Sequence, residues 1–461
     1  MPKKQIIDAH CHLFNAKYAV MELASASWNH FRGNYPHQKG TVLLKTRKPG
    51  FIERLEGVKD FAAYIASLLK VTLSDCEGNY KTALKNFAES EMGKNASLSV
   101  APLMMDIYFA LDDNTDEAGL ARKGRLTTPR IEAFAIPADK QKDFEDHFNK
   151  IELMVREEFK KIQPVTKRLL VSEDKLATIF NDAKKDLLAT PRKLLKGVDP
   201  YAGIELSPGY KKHMLELEGL AKKYPGKVFP FLAIDPRRAG IMKLIEMKIN
   251  KGKGIFKGIK LYPPLGYLPT HPNLVTVFDY CVQYDIPITV HCSPGGINNF
   301  RKTNYIRSWD EKNHLEDFKT TEGNKSIYYT APEKWLPVLK KWPTLRINFA
   351  HFGGGNQLIA GNTDWMNKII GLIKAHPHVY TDISYHTDKE SPCKILEVVG
   401  KNDCLNKKLM FGTDYIMMMM DMTLGGLDKY YNLYTVFNDR LLYENARDFL
   451  KIQQGVQKIR K

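Results

Sequence analysis

Residues 256–291 read FKGIKLYPPLGYLPTHPNLVTVFDYCVQYDIPITVH. An apolar run, Phe256–Tyr262, is followed by prolines and glycine, by a helical stretch, Leu274–Tyr284, and by a second β-rich run, Pro287–His291. Continuous apolar strands separated by helices are typical of a parallel sheet that is covered by helices on its faces. The stretch therefore predicts one strand–helix–strand unit of a parallel α/β fold.

The same kind of unit recurs along the chain. β-rich runs that end in a polar residue alternate with helical stretches, and they follow one another closely between residues 228 and 414. Eight such units predict an α/β fold of the (β/α)8 TIM-barrel type, in which catalytic residues lie at the carboxyl ends of the strands. The candidate strands are Gln5–His12, Ser99–Phe109, Val228–Asp235, Phe256–Tyr262, Pro287–His291, Arg346–His351, His378–Ser384 and Lys408–Asp414.

Two long segments interrupt the early units. Residues from about 15 to 96 separate the first two strands, and residues from about 112 to 199 separate the second strand from its helix. Apolar residues at helical spacing in the second segment predict helices, placed either at the mouth of the barrel or elsewhere on it. We therefore expect one TIM-barrel domain over residues 1–461 with two helical insertions, and an active-site loop over about residues 293–330.

Composition limits the partners and the compartment. The net charge is +17, but lysines are spread along the chain and mixed with acids, which favours a solvated basic surface over a nucleic-acid site. No apolar run approaches the roughly 18 residues of a membrane span, and the first residues lack the features of a signal peptide. We expect a cytoplasmic protein with reduced cysteines, no nucleic-acid partner and no membrane partner.

The histidines in helices and loops are expected mostly at the surface; examples are His30, His147, His213, His271 and His314.

Polar residues of metal-ligand types end several of the candidate strands. In the first strand, His10 and His12 are two residues apart and share one face, so both imidazoles can bind one metal ion. Taken alone, such a pair is a weak signal for a metal, and two satisfied structural histidines are the commoner case. His291, His351 and Asp414 end the fifth, sixth and eighth strands in the same way. Because strand ends meet at one face of a TIM barrel, these five side chains predict a metal centre.

Further residues are candidates for binding a substrate. Lys260 lies at the end of the fourth strand, where alternation directs it inward. It would contact the substrate through its charge or form a structural salt bridge inside the barrel. Tyr262, Arg32 and Trp309 lie in segments expected at the mouth of the barrel, and we predict that they contact the substrate as well.

Six motifs together resemble the amidohydrolase superfamily. They are DAHCHLF (residues 8–14), FKGIKLYP (256–263), ITVHC (288–292), INFAHFGGG (347–355), FGTDY (411–415) and ENARDFL (444–450). The pattern is most similar to the amidohydrolase-related subgroup, which includes aminocarboxymuconate-semialdehyde decarboxylase and similar nonoxidative decarboxylases. The resemblance covers the first strand and about residues 228–450, and it does not extend to the two insertions.

The resemblance implies roles for individual residues. It assigns His10, His12 and His291 as ligands of one zinc ion, and Asp414 as both a ligand and the acceptor of a proton from the attacking water. It assigns His351 to polarise the substrate or to act as an acid or base. In binuclear relatives the equivalent of His351 binds a second metal, and the equivalent of Lys260 is carboxylated and bridges the two ions. The single-metal arrangement requires no modified lysine, so we expect one zinc ion.

The sequence therefore predicts a metal-dependent hydrolase that acts on a C–N or C–O bond of a small, carboxylate-bearing substrate. The alternative from the same ligand set is nonoxidative decarboxylation of an unsaturated or aromatic acid. A barrel that had become a binding or scaffold protein would have lost some ligands, but all five polar strand ends are present. Because members of the subgroup are often dimers, the resemblance also implies a homodimer.

Overall fold

The computed structural model describes residues 4–32, 51–72, 74–111, 136, 138–162, 173–189, 200–301, 304–310, 312, 314–320, 325–420 and 425–452. Within them the strands are β1 (Lys4–Cys11), β2 (Ala96–Pro102), β3 (Phe231–Ile234), β4 (Gly258–Leu261), β5 (Ile288–Val290), β6 (Asn304–Trp309), β7 (Leu315–Thr320), β8 (Ile347–Phe349), β9 (Val379–Asp382) and β10 (Leu409–Met410). The α-helices are α1 (Ala16–Arg32), α2 (Phe51–Val71), α3 (Cys76–Glu89), α4 (Gln141–Lys161), α5 (Glu173–Leu188), α6 (Pro208–Lys223), α7 (Ile241–Lys248), α8 (Leu274–Tyr284), α9 (Lys325–Thr330), α10 (Leu336–Lys341), α11 (Gly355–Ile359), α12 (Asp364–Ala375), α13 (Ser391–Lys401), α14 (Leu427–Leu433) and α15 (Asn445–Leu450).

Six of the strands form one parallel sheet in the order β10-β9-β8-β5-β4-β3. Their side chains are buried on both faces, as expected where helices cover a parallel sheet. In this register Lys260 of β4 is paired with Ala233 of β3 and Thr289 of β5. The prediction of an α/β fold with a parallel sheet is confirmed.

Strands β1 and β2 form a parallel pair that contacts both edges of this sheet. On one side, the backbone N–H of Val100 donates to Lys227 (2.8 Å), and that of Phe229 donates back to Val100 (2.9 Å). On the other side, the N–H of Ala9 donates to Phe411 (3.0 Å). The β1–β2 pair therefore lies between the β3 edge and the β10 edge.

The observed strands are shorter than the predicted ones. The predicted strand Ser99–Phe109 ends at Pro102, and residues Tyr108–Ala110 form a short 3-10 helix. The predicted loop over residues 293–330 contains the antiparallel hairpin β6–β7. His291, His351 and Asp414 follow the last paired residue of their strands, and the backbones of His351 and Asp414 lie in the left-handed region there (φ 68° and 59°).

The helices of the two long segments share a second hydrophobic core. Helices α1, α2, α4 and α5 contribute apolar side chains to it, for example Phe61, Phe144 and Phe180. The same core includes Leu265, Ile297 and Met417, which follow β4, β5 and β10 along the chain. These helices therefore pack over the carboxyl ends of the strands. The assignment of the chain to a single domain stays a prediction.

Three histidines that we expected at the surface are buried. His147, His213 and His271 are at most 4% exposed, so that expectation was wrong for them, whereas His314 is exposed. The Nε2 atom of His147 lies 2.9 Å from the Ser27 hydroxyl, and Nε2 of His213 lies 3.0 Å from a backbone carbonyl. The rings of His147 and His213 are buried while each Nε2 has a polar partner, a tertiary arrangement that helical periodicity does not reveal.

Burial of His147 predicts a loss of stability in acid. Burial lowers the pKa of His147 to about 4, below the ordinary value of 6.5, so the unfolded chain binds a proton that the folded chain does not. Its contribution is complete above about pH 6.5 and is lost as the pH falls towards 4, by up to roughly 3 kcal/mol. Urea unfolding of His147→Gln at a series of pH values should show a shallower decline. His314→Gln is the matched exposed control, and identical declines for parent and His147→Gln would contradict the prediction.

Candidate metal centre

His10, His12 and Asp414 converge at the carboxyl end of the sheet. Alternation along β1 directs His10 and His12 to one side, and Cys11 between them packs into the hydrophobic core. Asp414 follows β10, and its Oδ1 lies 3.1 Å from Nε2 of His12 and 3.4 Å from Nε2 of His10. All three side chains are buried. Their ligand atoms are close enough together to hold one metal ion.

The second nitrogen of each imidazole fixes its tautomer. Nδ1 of His10 lies 3.0 Å from the carboxylate of Asp382, and Nδ1 of His12 lies 2.7 Å from the carbonyl oxygen of Leu103. Both partners are acceptors, so each Nδ1 carries a proton and donates it. In a neutral imidazole the Nε2 atom then presents a lone pair. Two nitrogen lone pairs therefore face the same carboxylate oxygen of Asp414.

This arrangement fits a divalent cation. Nε2 of His10 and Oδ1 of Asp414 are buried without a hydrogen-bond partner in the described residues. Buried polar atoms are costly without a partner, and facing lone pairs repel one another. Ligands at 2.0–2.1 Å around a tetrahedral zinc ion are about 3.3–3.4 Å apart, close to the two separations seen here. The donor set, two imidazoles and one carboxylate, is also one that zinc prefers.

Instead of a cation, a second proton on His10 could satisfy the Asp414 oxygen. Burial lowers the pKa of His10, but the Asp382 and Asp414 carboxylates together outweigh burial and raise this pKa above the ordinary value. One proton does not satisfy the whole group, because Nε2 of His12 faces the same Asp414 oxygen and burial lowers the pKa of His12. For Asp414, burial would raise the pKa, yet His10 and His12 hold it well below its usual range. An ionised carboxylate between two imidazoles is best satisfied by a metal ion.

Asp382, at the end of β9, links the metal-ligand residues to their surroundings. Its Oδ2 accepts hydrogen bonds from His10 Nδ1 (3.0 Å) and from the side chain of Asn348 (2.7 Å). Its Oδ1 accepts hydrogen bonds from the Ser384 hydroxyl (2.5 Å) and from the backbone N–H of His351 (3.2 Å). Burial would raise the pKa of Asp382, but His10 and the other donors hold it far below its usual value. Asp382 is therefore an ionised, fully buried acceptor.

His351 lies beside His10 with a separation of 4.7 Å between ring centroids. Its backbone is in the left-handed region at φ 68°, and its carbonyl accepts a hydrogen bond from Nε2 of His386 (2.9 Å). Nδ1 of His351 lies 2.8 Å from the Ser384 hydroxyl. Burial lowers the pKa of His351 to about 3, so the ring is neutral at pH 7. The hydrogen-bond partners of its two ring nitrogens determine which of them carries the proton.

The predicted ligand His291 contacts His351. Its Nδ1 lies 3.0 Å from Nε2 of His351, and its Nε2 lies 2.7 Å from the carbonyl oxygen of Gly295. Burial lowers the pKa of His291 well below the ordinary value. Among the described residues, the two groups able to hold an ion are His10–His12–Asp414 and a second set that combines His10 with His351 and Asp382. Neither group includes His291, which adjoins them.

The predicted substrate-binding residues have different positions. Lys260 is 2% exposed, and burial lowers its pKa to about 8. The structure shows no hydrogen bond or ion pair to its ammonium group among the described residues, so the predicted alternative of a salt bridge is not seen there. The Tyr262 ring lies 4.7 Å from the His291 ring. Trp309 packs against Trp342 in the main hydrophobic core. Arg32 ends α1, and its side chain lies outside the described residues.

Sequence reasoning missed Asp382, Ser384 and Asp8. The run His378–Ser384 was predicted as a strand, and its carboxyl end held the same signal that identified Asp414: an acid after a β-rich run. Asp8 accepts hydrogen bonds from the Thr413 hydroxyl (2.6 Å) and backbone N–H (3.0 Å), and thereby joins β1 to the segment before Asp414. Burial raises the pKa of Asp8 to about 7.

Comparison with known proteins identifies the family. The amidohydrolase family model matches residues 210–452, more than half of the chain, and the chain therefore belongs to the amidohydrolase family. The matched region contains His291, His351, Asp382 and Asp414, whereas the β1 histidines precede it. No curated protein sequence matches the chain.

Several solved structures are similar to parts of the chain. A manganese complex of 5-carboxyvanillate decarboxylase from Novosphingobium aromaticivorans is 15% identical, with 67% of this chain and 93% of that chain covered and a TM-score of 0.39. The 4-oxalomesaconate hydratase from Rhodopseudomonas palustris is 13% identical, with 69% and 93% covered and a TM-score of 0.33. An uncharacterised TIM-barrel protein from Bordetella bronchiseptica is 20% identical, with 51% and 71% covered and a TM-score of 0.32.

Asp382→Asn should weaken metal binding without unfolding the protein. An amide of the same size places either a poorer acceptor or an N–H group against the His10 Nδ1–H, so the ring loses the partner that orients it. Loss of such a partner typically lowers metal affinity 10–100-fold. Competition with a chromophoric chelator measures the affinity. Asp364→Asn, at an exposed carboxylate on α12, is the control. Equal affinities for Asp382→Asn and the parent would show that Asp382 does not orient His10.

Proposed function

We propose that this member of the amidohydrolase family is a metal-dependent hydrolase acting on a C–N or C–O bond of a small, carboxylate-bearing substrate. The observation that carries the proposal is the buried, unpartnered pair of His10 Nε2 and Asp414 Oδ1, with His12 Nε2 facing the same oxygen. We further propose that the strands close into a (β/α)8 barrel, because the β1–β2 pair contacts both edges of the six-stranded sheet. A single domain with helical insertions agrees with this arrangement.

The proposed metal is one zinc ion held by His10, His12, His291 and Asp414. Support for three of these ligands comes from their mutual distances, and support for His291 comes from its position beside His351 and from the sequence motif. When bound, zinc lowers the pKa of water to about 7 and polarises a carbonyl group.

Asp414 and His351 are the proposed acid–base and polarising groups. Because His10 and His12 hold the pKa of Asp414 far below neutrality despite its burial, this side chain stays a carboxylate that accepts a proton from the attacking water and passes it to the leaving group. His351 is neutral at pH 7, so its ring can donate a hydrogen bond to an oxygen that gains negative charge. Its left-handed backbone, held by Asp382 and His386, fixes where the ring points.

The test is turnover of small carboxylate-bearing lactones, esters and amides by the zinc-loaded protein in water enriched in ¹⁸O. We expect ¹⁸O in the product acid. Release of CO₂ from an unsaturated or aromatic acid, without incorporation of solvent oxygen, would support decarboxylation instead. A stoichiometrically zinc-loaded protein that transforms none of these classes would contradict the proposal.

His10→Ala should release the metal. The change removes one proposed ligand and leaves the carboxylate of Asp414 with only His12 beside it. We expect less than one tenth of the parental zinc by elemental analysis and no turnover. His314→Ala is the exposed control and should keep one equivalent. Full zinc content in His10→Ala would exclude the proposed centre.

His351→Asn separates the single-metal arrangement from the binuclear one. If His351 faces the substrate, the variant keeps one equivalent of zinc while turnover falls by roughly 10²–10⁴-fold, as is usual for loss of an acid–base group. Lys260→Ala should likewise leave the metal content unchanged. Loss of half of a two-ion complement in either variant would show that His351 and Lys260 hold a second metal.

The oligomeric state and the compartment remain predictions. None of the described helices combines the length and the apolar character that crossing a bilayer requires. The homodimer is proposed from the family resemblance alone, and the cytoplasmic location from the composition of the chain. Light scattering on the purified protein measures the assembly directly, and a monomeric mass at micromolar concentration would contradict the dimer.

A further inference from the structure

The first long segment contributes a tyrosine to the surroundings of the proposed metal centre. Tyr64 lies on α2 and packs against the second hydrophobic core, and its hydroxyl lies 3.8 Å from the sulfur of Met417. Met417 follows Asp414 by three residues, and in the same turn the backbone N–H of Met418 donates to the carbonyl of Asp414 (3.0 Å). The Tyr64 hydroxyl is therefore beside the turn that begins at Asp414.

The groups that act on the Tyr64 hydroxyl follow three different strands. Burial raises the pKa of Tyr64 above its ordinary value, and the neighbouring Asp414 and Tyr385 raise it further. Burial likewise raises the pKa of Tyr262, and Tyr64 is the next largest cause of that increase. Asp414, Tyr385 and Tyr262 follow β10, β9 and β4 along the chain. The Tyr64 hydroxyl therefore keeps its proton at neutral pH and lies at the carboxyl ends of the strands.

The hydrogen bond that this hydroxyl makes within the protein is weak. Its partner in the described part of the chain is the Met417 sulfur, and a thioether is a weak acceptor. An oxygen atom in the same position would be a better acceptor for the phenol O–H group. The Tyr64 hydroxyl can therefore exchange the sulfur for an oxygen atom of a ligand with a net gain.

A ligand that enters from solvent meets tyrosines before it meets the proposed metal ligands. The side chains of Tyr64 and Tyr262 are half-buried, whereas the four proposed metal ligands are buried. Gly296 is exposed, and a β-carbon there would lie 2.4 Å from the Tyr262 hydroxyl and 2.9 Å from Nε2 of His291. The absence of a side chain at Gly296 thus keeps this side of the centre uncrowded.

We infer that Tyr64 is a substrate-binding residue, whose hydroxyl donates a hydrogen bond to an oxygen atom of the substrate beside Asp414. The inference rests on the proposed function, because it requires a substrate at the metal centre. The first long segment then contributes to specificity as well as to packing. It favours substrates that present an acceptor oxygen towards α2.

The test uses acetohydroxamate, which chelates zinc through two oxygen atoms and so places acceptors at the metal. In isothermal titration of the zinc-loaded proteins, we expect Tyr64→Phe to bind it roughly three- to tenfold more weakly than the parent, the size of one net hydrogen bond. Zinc content should stay at one equivalent, because phenylalanine keeps the ring in its apolar surroundings. Tyr443→Phe is the matched control, since this half-buried tyrosine packs against a separate cluster that includes Ile7 and Ala9. Its affinity should equal that of the parent.

Met417→Leu separates a direct contact with the ligand from an effect through Asp414. The substitution removes the sulfur acceptor and nearly conserves the volume of the side chain. If Tyr64 donates to the ligand, Met417→Leu should bind acetohydroxamate as tightly as the parent. An equal loss of affinity in Met417→Leu and Tyr64→Phe would show that Tyr64 acts by holding the turn after Asp414, and the inference would be overturned.

Failure of this inference and failure of the proposed function give different results. If the parent and Tyr64→Phe both hold one equivalent of zinc and bind acetohydroxamate equally well, the inference is overturned and the metal centre stands. A zinc-loaded parent that binds no acetohydroxamate at millimolar concentrations leads to the same conclusion. A parent that takes up no zinc contradicts the proposed function, and the inference fails with it.

Discussion

The buried carboxylate of Asp382 is the acceptor on which the arrangement of the site depends. Because it has no access to water, its lone pairs need protein donors, and they receive them from His10, Asn348, Ser384 and the backbone of His351. These donors come from β1, β8 and the segments after β8 and β9. A single ionised group thereby fixes the tautomer of a proposed metal ligand and the left-handed backbone of the proposed polarising residue.

The parts of the site that depend on local periodicity are predictable from the sequence. Alternation placed His10 and His12 on one face, and the polar ends of β-rich runs identified His351 and Asp414. The parallel α/β character followed from the same runs. Asp382 was missed because its role depends on donors from other strands, which no local window contains. The burial of His147 was missed for the same reason, since its core consists of helices that are distant in sequence.

The helices of the long segments change the physical environment of the strand ends. Their shared core reaches Met417, three residues after Asp414, and the Tyr64 hydroxyl of α2 lies 3.8 Å from the Met417 sulfur. Beside this packing, the side chains of His10, His12 and Asp414 are buried. In such a medium both the attraction between opposite charges and the cost of an unpaired charge are larger than at a surface. The insertions therefore strengthen the electrostatic effects on which the site depends.

The charge balance of the centre connects the metal to the substrate. Asp414 and Asp382 contribute two negative charges, Lys260 contributes one positive charge, and the neighbouring His291 and His351 are neutral at pH 7. Without a cation, and with a neutral His10, the group carries one net negative charge. A divalent ion reverses the sign and leaves one positive charge in excess. The carboxylate of the proposed substrate would then bring the buried group to neutrality, the state that a low-dielectric interior favours.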